Sequence, residues 1–190
     1  MVKKILFTVL MAAMAAPLFS QVKLGEYRSS MFGKTYTIKA DEAPDQYGEY
    51  SYYIDVDSEN PQKNPKVQIC LTNKEIDGFL SQIKTLKENY TQLRQDAVSN
   101  SIEDDYYKEL DCKFDKCQVS YTNNTGTWSY YYTQNISPSF HAIMGRYLLV
   151  LSNNGYIDMM TNAMLFDGFK IAFSSLEEID AFLRIFENKK

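Results

Sequence analysis

Three cysteines, a single histidine and a scatter of methionines are the side chains here whose chemistry goes beyond packing. A nucleophilic Cys–His pair needs a thiol of depressed pKa beside the imidazole. His141 has no cysteine near it in the sequence, so that arrangement rests on the fold alone. His141 with Met144, Met159 and Met160 offers the imidazole and thioether donors that a soft metal such as Cu(I) takes. Methionines filling a core under a hairpin account for the same residues, and this is the reading we favour. Cys112 and Cys117 would lie about 16 Å apart, on opposite faces, along one straight strand, which is too far to bridge. Phe114-Asp115-Lys116 matches Phe32-Gly33-Lys34, however, and a shared bend at Asp115 would let the two sulfurs meet. A Cys112–Cys117 disulfide is therefore expected, with Cys70 left as a buried thiol; a bridge from Cys70 to either one is the alternative.

The carboxylates are explained without catalysis. Asp55, Asp57 and Glu59 alternate like the start of a calcium loop, but the sharp-turn glycine and the closing glutamate are missing. Glu75–Asp77 and Glu178–Asp180 fall in the first turns of expected helices, where capping and the helix dipole favour negative charge. No GxSxG, HExxH or phosphate-cradling glycine run occurs, so no catalytic set, metal site or cofactor is implied. Tyrosine is the remaining signal. With Tyr50, Tyr52, Trp128, Tyr130 and Tyr132 facing the core, Tyr53 and Tyr131 would point outward at matching positions. Tyrosines on an open sheet face stack on sugar rings or anchor protein partners, because they join a large apolar area to a polar tip.

The elements that would position these residues occur in two copies. Val67–Ile83 and Phe169–Phe186 each run from an apolar alternating strand into an amphipathic helix, with Glu-Ile-Asp and Phe-Leu in matching places. Upstream, Tyr50-Ser51-Tyr52-Tyr53 matches Trp128-Ser129-Tyr130-Tyr131 in the same order. The pattern predicts two repeats, about 22–98 and 105–190, each ending in strand–helix. Thr72 with Glu75 and Ser175 with Glu178 mark the helix starts. The first helix runs from Asn73 with the stripe Ile76, Phe79, Leu80, Ile83, Tyr90. The second repeat carries an insertion, a hairpin over 146–161 turning at Asn154-Gly155.

Strands with one apolar face and helices with one apolar stripe satisfy each other in a single way. The fold class is α+β: a mostly antiparallel sheet of about seven or eight strands with two helices packed on one face. In architecture alone this resembles the saddle of TATA-binding-protein-like folds, a likeness without functional weight. Lys3-Lys4, the apolar run Ile5–Ala16 and Ser20 read as a signal peptide of 1–20, with cleavage inside Ala12–Ala16 as the alternative. No cysteine stands near the cut, so a lipoprotein is not expected. Residues 21–190 then form one soluble domain in the periplasm or outside the cell. The apolar run is too short to span a membrane, and no second long apolar segment follows. Without Lys3 and Lys4 the chain holds 18 basic and 24 acidic side chains, a formal charge of −6 with no basic stripe. Nucleic acid is excluded on that ground. The favoured reading is a non-catalytic module binding a protein or glycan through the helix-free, tyrosine-bearing face. The alternative is a small envelope enzyme or soft-metal carrier using His141 with Cys or Met.

Overall fold

The computed structural model describes residues 20–133, 135–158 and 162–187. The signal-peptide segment and Met159 and Met160 therefore fall outside the described residues, apart from Ser20. The first half contains β1 (Gln21–Ser29), β2 (Lys34–Asp41), β3 (Ser51–Ser58), β4 (Val67–Thr72) and the long helix α1 (Asn73–Ser99). The second half contains β5 (Tyr106–Glu109), β6 (Cys117–Thr122), β7 (Trp128–Thr133), β8 (Ser137–Ile143) and β9 (Arg146–Asn153). It continues with β10 (Tyr156–Asp158), β11 (Ala163–Phe166), β12 (Phe169–Phe173) and helix α2 (Leu176–Ile185).

All strand pairs are antiparallel, and ten strands join in one sheet in the order β5-β8-β9-β12-β3-β4-β6-β7, with β1-β2 attached to β3. The sheet forks at β3. Ile38 and Ala40 of β2 pair with Ile54 and Tyr52, whereas β12 pairs with the far end of β3 through Asp57 and Ser58. The gap between the branches is laced by side chains. Ser29 Oγ donates to the Ala172 carbonyl at 2.8 Å, and Tyr27 stacks on Tyr36 while meeting Phe173 and Phe182.

Both helices start where the capping residues place them. The Glu75 carboxylate accepts the Thr72 backbone N–H at 2.8 Å and its hydroxyl at 3.0 Å, and Ser175 Oγ accepts Glu178 N–H at 3.3 Å. Two donors outside α2 are also held by Glu178, which accepts the N–H groups of Ser30 at 2.9 Å and Ser174 at 2.7 Å. The α1 stripe Ile76, Phe79, Leu80, Ile83, Leu86 and Tyr90 is buried, and Ile179, Phe182 and Phe186 bury the face of α2 and its C-terminal end. These side chains belong to one core cluster with the inward faces of the strands. The helices touch through the Lys87–Asp180 ion pair at 2.5 Å, and the Tyr90 hydroxyl donates to Tyr147 and Ser174 carbonyls.

The α+β class, the antiparallel sheet and the helix pair are as the sequence predicts, but the strand inventory and the pairing differ. Ten strands share the main sheet, and β10-β11 form a separate two-stranded piece. The strand pairing is not the same in the two halves: β3 lies against β4, whereas β7 pairs with β6, and β12 pairs with β9 and β3. The expected turn at Asn154-Gly155 does not close a hairpin. The hairpin of the insertion closes instead between β8 and β9, where Met144 (φ 51°) and Gly145 (φ 72°) separate the paired Ile143 and Arg146. Two consecutive positive φ angles give the turn whose twist matches the strands it joins. Gly155 has another task. A Cβ there would sit 2.0 Å from the Phe166 carbonyl oxygen, so only glycine lets these two backbones approach.

Candidate recognition face

The helix-free side of β3-β4-β6-β7 is built by the pleat. Alternate residues of each strand point away from α1, and the register aligns them into rows across the strands. One row runs Lys39, Tyr53, Cys70, Gln118, Tyr132. The next runs Asp55, Gln68, Ser120, Tyr130. Five strands at the usual spacing make the first row about 19 Å long. Polar side chains occupy the middle. Gln68 Nε2 donates to Asp55 Oδ1 at 2.7 Å, Gln118 Nε2 donates to Ser120 Oγ at 3.1 Å, and the Cys70 thiol lies 3.4 Å from that hydroxyl. At the β7 side three rings stand in the open: Trp128 is 48%, Tyr130 67% and Tyr132 55% exposed. Tyr130 and Tyr132 meet edge to face at 6.3 Å, and Lys116 Nζ sits 4.9 Å over the Tyr132 ring.

Beside Trp128 the sheet edge opens into a cleft of about 450 Å³ lined by Lys34, Tyr36, Lys39, Asp55, Asp57 and Gln68, among others. Lys34 pairs with Asp57. The Tyr36 hydroxyl is buried there beside Asp57; burial, then the charge of Asp57, holds its pKa above the ordinary phenol value.

Of the two tyrosines expected to face outward, one does. Tyr53 lies on the helix-free face, half-buried, with its hydroxyl donating to Asp41 Oδ1 at 3.1 Å; burial and then Asp41 push its pKa up to about 12. Tyr131 does not. It is 8% exposed, while Trp128, Tyr130 and Tyr132, expected inside, are the exposed residues of β7. The cause is the insertion. Tyr131 pairs with Val119 on the core side, where Tyr156 stacks on its ring at 5.2 Å and Phe166 packs at 5.7 Å. Its hydroxyl donates to Asn153 Oδ1, and Asn153 is held in turn by Thr133 Oγ1, the Asn135 carbonyl and the Gly155 N–H.

The expected Cys112–Cys117 disulfide is absent, and all three cysteines are free thiols. Cys117 opens β6 with its side chain in the core, whereas the Cys112 thiol donates to Gln82 Oε1 of α1 at 2.9 Å. Burial raises the pKa of each thiol first and foremost, that of Cys117 to about 12, with Glu75 and Cys70 adding to it. A raised pKa disfavours the thiolate form through which a cysteine acts as a nucleophile. His141 meets the Ser139 hydroxyl at 2.9 Å and the edge of Tyr107, and burial, then Lys170, lower its pKa. No carboxylate orients this imidazole among the described residues, so the third member of a hydrolytic triad is not supplied. Met144 stands in the β8–β9 turn, 83% exposed, and no cluster of three metal-binding His, Cys, Asp or Glu occurs among the described residues. None of those residues lies in a helix long and apolar enough to cross a membrane.

Compared with protein-family models, curated proteins and solved structures, the chain matches none.

Proposed function

We propose that this chain is an exported, non-catalytic binding module that takes a glycan on the helix-free face of β3-β4-β6-β7. The observation that carries the reading is the open strip of Trp128, Tyr130 and Tyr132, in which Tyr130 lies in register with Ser120, Gln68 and Asp55, and Tyr132 with Gln118. Sugar rings present apolar C–H faces that rest on aromatic rings, and equatorial hydroxyls that need planar donors and acceptors beside those rings. The strip supplies the first, while the amides, the carboxylate and the adjoining cleft supply the second. Tyr53 extends the same surface from the β3 side.

Trp128 is the sole tryptophan, so its emission reports directly on the face. Titration with a panel of neutral and acidic soluble polysaccharides is expected to give a saturable change in that emission with at least one of them. Trp128→Phe keeps a ring while removing the signal, and affinity electrophoresis through gels containing the same polysaccharide then reads binding independently. Tyr130→Ala is expected to weaken retention by about tenfold, the value of one lost stacking contact of roughly 1.4 kcal/mol. A flat response across the panel, with unretarded migration in every gel, refutes the glycan reading.

A further inference from the structure

We infer that β7 is an interface: two copies of this chain join edge to edge through Trp128–Thr133 and continue the sheet across a two-fold axis. The inference stands apart from the glycan reading, since it uses the backbone of β7 rather than the rings on its face.

The ten-stranded sheet has three strands with a single neighbour, β1, β5 and β7. An unpaired strand edge is a template for another chain, and proteins blunt such edges with charge or bulges. β1 carries Lys23, Glu26 and Arg28 and a register break between Lys23 and Gly25. β5 is four residues long and carries Lys108 and Glu109. β7 has neither device: its sequence WSYYYT is uncharged, and its pairing with β6 is unbroken from Trp128 to Thr133.

The hairpin fixes which backbone groups β7 leaves outside. Asn123 N–H donates to the Thr127 carbonyl at 3.0 Å, which makes Asn123–Thr127 a hydrogen-bonded pair of the ladder. Such pairs alternate with non-bonded ones in an antiparallel ladder. Ser129, Tyr131 and Thr133 therefore bond to β6. Trp128, Tyr130 and Tyr132 direct their N–H and C=O groups away from it. Among the described residues no strand receives them.

A second β7 does so completely. In an antiparallel register centred on Tyr130, Tyr130 faces its own copy, and Trp128 faces Tyr132 at both ends. All three outward N–H groups of each copy meet outward carbonyls of the other. No charge opposes a like charge across the seam, because the strand has none. Aromatic residues fall opposite aromatic residues, a favourable cross-strand pairing. The two open strips then merge into one surface of six rings, with Lys116 at each end.

Sedimentation equilibrium of the purified protein separates this from the alternatives. The expected result is a concentration-dependent dimer. Tyr130→Pro removes an N–H that points away from β6, so the hairpin survives while both central seam bonds are lost; dimerisation should weaken about ten- to a hundredfold. Tyr130→Ala keeps that N–H and should remain dimeric even where glycan retention falls. If Tyr130→Pro fails to fold by circular dichroism, Tyr130→Lys sets two ammonium groups together at the axis and must give a monomer. A monomeric wild type at every attainable concentration, or a dimer unaffected by Tyr130→Pro and Tyr130→Lys, overturns the inference. A dimer with no bound polysaccharide would leave the seam intact and remove the glycan reading alone.

Discussion

Tyr131→Ala separates the two faces of β7 by energy. The ring is 8% exposed and lies among Tyr121, Tyr156 and Phe166, with centroids at 6.3, 5.2 and 5.7 Å. Truncating a buried aromatic of this kind costs about 3–5 kcal/mol through lost transfer energy and the cavity left behind. The hydroxyl adds to this, because its bond to Asn153 Oδ1 sits in a buried network. Tyr131→Phe isolates that bond and should cost about 1–1.5 kcal/mol, since Asn153 Oδ1 retains the Gly155 N–H. Tyr132→Ala, one residue along but on the open face, should stay within about 0.5 kcal/mol. Urea unfolding followed by circular dichroism measures all three. For a chain of this size the alanine variant at Tyr131 should also melt roughly 10 °C lower. If Tyr131→Ala and Tyr132→Ala unfold at the same urea concentration, the packing of β10-β11 on β7 is wrong.

Three further outcomes follow from thiols and backbone. Mass mapping under non-reducing conditions should find Cys70, Cys112 and Cys117 unlinked, with Cys112 alkylated first because it alone is half-buried; a linked Cys112–Cys117 peptide would overturn the assignment. Raised thiol pKa values stabilise the fold only while the groups stay protonated. Stability should be full below the unfolded thiol pKa and fall as pH rises from there towards about 12, the folded value for Cys117. Cys117→Ala should flatten that alkaline slope in a pH series of urea midpoints. Gly155→Ala should destabilise by about 2 kcal/mol or more, because the new Cβ meets the Phe166 carbonyl. Gly126→Ala, at a similar φ in open space, should cost only about 1 kcal/mol in the same assay.

The helices are readable in the sequence because their signals are local. Thr72 and Glu75 lie one turn apart, and the α1 stripe repeats over many turns, so neither depends on distant contacts. The face of β7 was not readable. Alternation gives two faces but not which of them is inside, and a slip of one residue exchanges them. Matching Tyr131 with Tyr53 carried the phase of β3 into β7, where Tyr156 and Phe166 from the insertion impose the opposite one. The β8–β9 turn is not legible in the sequence because a methionine does not signal the positive φ angle that Met144 adopts. β5 is not legible because β8, its pairing partner among the described residues, lies some thirty residues away and its own sequence is short and charged. The disulfide was expected from a bend alone, whereas the two thiols are drawn apart by α1 and the core. Tyr53 was placed correctly because β3 alternates without interruption from Ser51 to Ser58.

The fork at β3 also governs the order in which this chain becomes a protein. A chain emerging from its N-terminus completes β1 through β4 and α1 early, yet Tyr27 then lacks Phe173 and Phe182, and the end of β3 lacks β12. Those partners stand more than a hundred residues further on, so the cost of closing that loop is met last. The contacts across the fork therefore tie the first strands of the described chain to its last strand and helix, so loosening α2 uncovers Tyr27 as well.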